Sequence, residues 1–164
     1  MHWLVDGYNV IRRAPDLASR ERESLQAGRE TLCRVLSAAA RLSGDRFTVV
    51  FDGDRGGGSV PGGPGVHVVF SSGRESADHV LARRATAGVA VVSNDREVRQ
   101  AATRAGATAV TADDFLARLR KSSPARVPDK DEEPTEPREK KGNPRRLPKK
   151  ARAAARALRR LSRG

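Results

Sequence analysis

Five short apolar runs punctuate the first 120 residues, and segments of helical period lie between them. "HWLV" opens the chain, "RFTVVFD" ends on Asp52, "VHVVFS" follows a loop, and "GVAVVSND" and "ATAV" complete the set. Each is nearly continuous in apolar residues, the pattern of strands covered on both faces. After the first run, Leu25, Leu32, Val35, Leu36, Ala39 and Leu42 recur at helical spacing, and after the third Ala77, Val80, Leu81 and Ala85 do the same. "REVRQAATRAG" reads as a helix stopped by Gly106, and "TADDFLARLR" as a helix capped by Thr111. In "DGDRGGGSVPGGPG" glycine and proline are too dense for anything but loop. Such strands alternating with helices require a parallel sheet joined by right-handed crossovers. The expected fold is a three-layer α/β domain with a central parallel sheet.

In sheets of this kind ligands gather beyond the carboxyl ends of the strands. There the chain places acids: Asp6 after the first run, Asp52 at the end of the second, Asp78 opening the helix after the third, and Asp95 after the fourth. Asp6 is the most demanding, because it lies between a core strand and Gly7 and a buried acid needs a partner. Carboxylates crowded on one edge raise each other's pKa unless a cation sits among them. With no Cys/His pairing at zinc spacing, the donors are oxygens and the fitting ion is hard, Mg²⁺ or Mn²⁺. Such a site activates water for in-line attack on a phosphodiester.

Each residue also has a plainer reading. Asp95 can cap a helix, while Asp78 and Glu75 can simply favour a helix start. His2, His67 and His79 are scattered without ligand spacing, and Trp3 lies inside a strand run and reads as core. Tyr8, beside the proposed site, can either pack or stack on a base. No GxSxG motif is present, and an aspartyl-nucleophile phosphohydrolase would want an acid two residues beyond Asp6, where Tyr8 stands.

A formal charge of +12 and a pI near 11.2 point to a polyanionic partner. Up to Arg120, 17 Lys and Arg face 14 Asp and Glu, whereas the remainder has 15 against 6. The excess therefore lies in the tail. Residues 121–146 are rich in Pro and mixed charge and read as a linker between a domain at 1–120 and a basic segment at 147–164. In that segment Leu147, Ala151, Ala154, Leu158 and Leu161 fall on one side of a helix ringed by Arg and Lys. Its expected partner is RNA, with Arg145, Arg146, Lys149 and Lys150 as phosphate contacts, and docking on a protein groove is an alternative. A disordered solubilising tail is the plainer alternative, and so few leucines are too little for membrane insertion. One cysteine, Cys33, no visible export leader and no apolar run of ~20 residues make the cytoplasm the expected compartment.

"LVDGYNVI", "VVFDG", "ESADHVLARRA" and "VVSNDREVRQAATRAGA" follow one another between Met1 and Arg120. In that order they resemble the motifs of the YacP-like branch of NYN domains, relatives of the PIN-domain nucleases. The resemblance implies a PIN-like fold and a divalent-metal endoribonuclease. It implies an acidic core of Asp6, Asp78 and Asp95, with Asp52 as a weaker fourth ligand and Asn9 as the asparagine that accompanies the first aspartate. Ser93 and Asn94 form the turn that presents Asp95, and with Tyr8 they are the expected substrate contacts near the acids. The implied partner is mRNA or structured RNA, with the ribosome as a candidate platform. The competing class is an RNA-binding adaptor on a nuclease-like fold that no longer cuts. The glycine-rich loop after Asp52 departs from the family pattern.

Overall fold

The computed structural model describes residues 1–53, 60–72, 74–122 and 149–161. In chain order the elements are β1 (His2–Asp6), α1 (Gly7–Arg13), α2 (Pro15–Glu23), α3 (Leu25–Ser43), β2 (Arg46–Phe51), β3 (Val66–Phe70), α4 (Ala77–Arg84), β4 (Val89–Val92), α5 (Arg96–Arg104), β5 (Thr108–Val110), α6 (Ala112–Ser122) and α7 (Lys149–Leu161). The five expected strands form one sheet, parallel throughout, in the order β3-β2-β1-β4-β5. β1 is central, and the winding reverses between β1 and β4, the crevice where such sheets receive ligands.

Periodicity alone suggests one long helix after β1, and the structure has three. Pro15 lacks an N–H and fits only a first turn, so it starts α2 afresh. Ser24 then caps α3, its hydroxyl oxygen accepting from the Ala27 N–H at 3.0 Å.

The two-residue period of the strands divides the core in two. Trp3, Val5, Phe47, Val49, Phe51 and Val92 face Ile11, Leu32, Leu36 and Phe115 of α1, α3 and α6. Leu4, Val50 and Val91 face Val80 and Leu81 of α4 and Val98 and Ala102 of α5. Trp3 is fully buried, and its indole N–H donates to the buried Asp45 at 3.0 Å.

The tail helix packs against this domain. Ala157 and Leu161 of α7 are buried in the first core, with Ala154 and Leu158 packed against it. Arg118 of α6 donates from Nε to the Leu158 carbonyl at 2.8 Å. A helix of 13 residues is marginal alone, whereas fully burying one leucine side chain contributes ~1.5–3 kcal/mol. Packing, more than propensity, holds α7. α6 continues to Ser122, past the expected boundary at Arg120. The rest of the expected linker, including Arg145 and Arg146, lies outside the described residues, as do the side chains of Lys149 and Lys150. Among the described residues no helix is long and apolar enough to cross a membrane.

Candidate active site

β1 ends at Asp6 and the chain turns at once into α1. Gly7 permits that turn, because a Cβ there would lie 2.2 Å from the Phe51 ring. Asp6 caps α1, its Oδ1 accepting from the Asn9 N–H at 3.2 Å, while Oδ2 accepts from the Ser93 hydroxyl at 3.0 Å. Ser93 follows β4, and the register that pairs Val5 with Val92 sets it beside Asp6. Its oxygen also accepts from the Asp95 N–H at 3.0 Å. One wholly buried hydroxyl thus joins the first acid to the backbone of the last.

Asp95 caps α5, accepting on Oδ1 from the N–H groups of Glu97 at 2.6 Å and Val98 at 3.3 Å. Both bonds fall on Oδ1, and among the described residues none falls on Oδ2. Asp52, just past β2, accepts from the Ser71 hydroxyl at 2.8 Å, and Ser71 in turn accepts from the Gly53 N–H at 2.9 Å. Ser71 stands one residue after β3 as Ser93 stands one residue after β4. Asp78 is an exposed acid in the first turn of α4, where Ser76 is the cap.

The acids sense one another. Burial, above all, lifts Asp6 above the ordinary carboxylate range; the bonds from Asn9 and Ser93 pull it back, and Asp78 and Asp95 push it further up. Asp78 reaches solvent, yet the protein beside its carboxyl shields it in part, and that desolvation raises it first, followed by Asp95 and Asp52, with His79 opposing. Among the described residues no three His, Cys, Asp or Glu side chains lie close enough to enclose a metal unaided. A magnesium ion does not need that cage, since it binds through one or two carboxylates and keeps waters and substrate phosphate oxygens. The all-oxygen donor set at this edge fits an ion of that type.

Asn9 links two sides of the crevice, its Oδ1 accepting from the Asn94 N–H at 2.9 Å. Three expected substrate contacts carry structural bonds. The Ser93 hydroxyl is buried and engaged twice. The Asn94 side chain accepts from the Ala112 N–H at 2.8 Å and donates to Asp113 at 2.5 Å, tying the turn to α6. Tyr8 is only 7% exposed, meets Phe51 edge to face, and accepts on its hydroxyl from Arg29 Nε at 2.9 Å. Its ring lies under the guanidinium groups of Arg12 and Arg29 and offers no open face to a base.

Arg29, Ser71 and Arg99 escaped the sequence reading. Arg29 is a buried cation among Tyr8, Phe51 and Phe70, and nothing in its helix marks it. Arg99 donates to the carbonyls of Ser93 at 3.2 Å and Asn94 at 2.6 Å. Ser71 carried a signal: "VVFS" ends a strand run as "VAVVS" does. Glu75, outside the first turn of α4, pairs with Arg83 at 3.0 Å, and that hydrogen bond holds its pKa down. Cys33 is buried, its thiol pushed up to about 11, and takes no part.

A parallel sheet wound outward from β1, with acids along the carboxyl ends of its strands, defines a PIN-like α/β domain. The model of the YacP-like NYN domain matches residues 3–160, and the chain belongs to that family, within the PIN-like nuclease superfamily. The match runs on through almost all of α7. Among solved structures, the chain is similar to Rae1 (YacP) from Bacillus subtilis, with 26% identity, 73% of each chain covered and a TM-score of 0.63. A mutant of the same Bacillus subtilis protein matches at 26% identity and a TM-score of 0.62, over 73% of this chain and 74% of that one. No curated protein matches the chain.

Proposed function

We propose that this chain is a divalent-metal-dependent endoribonuclease that hydrolyses RNA phosphodiesters at the edge formed by Asp6, Asp52, Asp78 and Asp95. The observation that carries the reading is the gathering of these acids at one sheet edge: Asp6 ends β1, Asp52 follows β2, Asp78 lies in the first turn of α4, and the Ser93 hydroxyl ties Asp6 to the backbone of Asp95. Acids held in repulsion weaken the fold and repel phosphate, a cost that a bound cation offsets. An RNA-binding adaptor gains nothing from that arrangement. Membership in a nuclease superfamily supports the same conclusion.

Asp6, Asp78 and Asp95, with Asp52 beside them, would hold Mg²⁺ or Mn²⁺. Bound there, the ion supplies an activated water and neutralises charge on the leaving oxygen. The chain supplies position: Ser93 fixes Asp6 against the Asp95 backbone, and the Asn9 to Asn94 bond locks α1 to the turn before α5. The acids are thereby kept from recoiling before the ion and the phosphate arrive. The reading extends to mRNA or structured RNA in the cytoplasm, with ribosomes as the first platform to assay.

Purified protein should cut single-stranded or loop RNA with Mg²⁺ or Mn²⁺ and stop in chelator. Asp6→Asn, Asp78→Asn and Asp95→Asn should each abolish cutting while circular dichroism shows the fold retained. Full cleavage by all three variants would remove the site, and RNA that binds but is never cut would favour the adaptor.

A further inference from the structure

A groove of about 770 Å³ runs between α5 and α7 along the edge strand β5. It begins at the acidic edge, because Arg96 directly follows Asp95. α5 buries Val98 and Ala102 against the α4 side of the sheet, and its opposite face lines the groove with Arg96, Arg99, Gln100 and Arg104. Facing them on α7 are Ala151 and Ala154, which keep the passage wide. Among the described residues the one acid in the lining, Asp114, is engaged at the start of α6, where it accepts from the Thr111 hydroxyl at 2.7 Å.

Arg99 is partly committed to the carbonyls of Ser93 and Asn94. Arg96 and Arg104 form no ion pair with an acid among the described residues. The two lie about 12 Å apart along the helix at ~1.5 Å per residue, far enough to meet more than one phosphate of a strand. Arginine suits phosphate, since its planar fork donates to two oxygens at once. Among the described residues no aromatic ring lines the groove, so none of them offers a base a stacking face.

We infer that this groove carries the sugar-phosphate backbone of the RNA strand whose scissile bond lies at the acidic edge, an inference that rests on the nuclease reading. An edge that repels phosphate cannot hold a strand by itself, and cations beside it must do so. The groove provides affinity without sequence choice, because its contacts reach the backbone and not the bases. α7 thus enters function as a wall that its own core contacts hold in place.

The test uses full-length protein carrying Asp78→Asn, so that RNA is bound without being cut, and measures anisotropy of short labelled single strands across a salt series. Adding Arg96→Ala and Arg104→Ala should lower the log–log salt slope by about 1.4, two contacts at ~0.7 each, so the parent loses about sevenfold more affinity than the variant between 50 and 200 mM salt. The loss at low salt should be equal for strands of unrelated sequence. Ala151→Glu, on the opposite wall, should weaken binding without altering α5, which guards against a fold defect in the arginine variant. Unchanged affinity and slope in both variants, with the parent binding RNA, overturn the groove and leave the nuclease reading standing. A parent that neither binds RNA as Asp78→Asn nor cuts it as wild type overturns that reading, and the groove with it.

Discussion

Ser93 is one hydroxyl with two obligations, to the Asp6 carboxylate and to the Asp95 N–H. In Ser93→Ala both partners are left short inside the protein, which costs about 1–3 kcal/mol for each group that water cannot reach. Asp6 also loses a bond that favours its charged form, so its raised pKa should climb further. The acid limb of the pH–activity profile should then move to higher pH, and a rate profile in Mg²⁺ checks it. Asp78 gives the opposite sign for stability. Its folded pKa lies above the unfolded value, so its contribution is favourable below the ordinary carboxylate range, near ~3.9, and is lost as pH rises through the raised value. In chelator, Asp78→Asn should therefore melt higher than wild type at neutral pH, with the gain vanishing in acid; melts across pH decide it. The acids were legible in the sequence because each breaks an apolar run or opens the helix after one. Tyr8 and Arg29 were not, since an aromatic with a polar tip and a long cation can face water or core equally well, and only the packed partners choose.

α7 shows what an element can hide. The apolar seam of Ala154, Leu158 and Leu161 is plain in the sequence, but the surface that receives it is assembled from β5, α6 and α3, far apart along the chain. A tail that only added affinity would leave the rest of the protein indifferent to its loss. Leu161 is 1% exposed in the main core, so Leu161→Ala should cost about 2–5 kcal/mol, read from urea denaturation of the whole protein. Truncation after Ser122 should lower the melting temperature rather than leave it unchanged. The helical stretch between β1 and β2 misled for a related reason: its apolar period is continuous, and the breaks at Pro15 and Ser24 are local capping events superposed on it.

At the scale of the molecule, strand and helix alternation was enough to reach a three-layer parallel fold, because crossover handedness and double-sided burial leave few alternatives. Strand order and register were not readable, and they are what set Ser93 against Asp6. A cation that binds the folded edge alone must stabilise the whole, by about 2.7 kcal/mol at a hundredfold excess over its Kd. Melting temperature should rise with Mg²⁺ in wild type and stay flat in the double variant Asp6→Asn, Asp78→Asn. The central strand, β1, depends on a distant partner, because its acid is held by a serine 87 residues downstream. Contacts of such sequence separation form late and slowly. A clipped chain ending before β4 would hold Asp6, Asp52 and Asp78 yet lack both the hydroxyl that fixes Asp6 and the turn that presents Asp95.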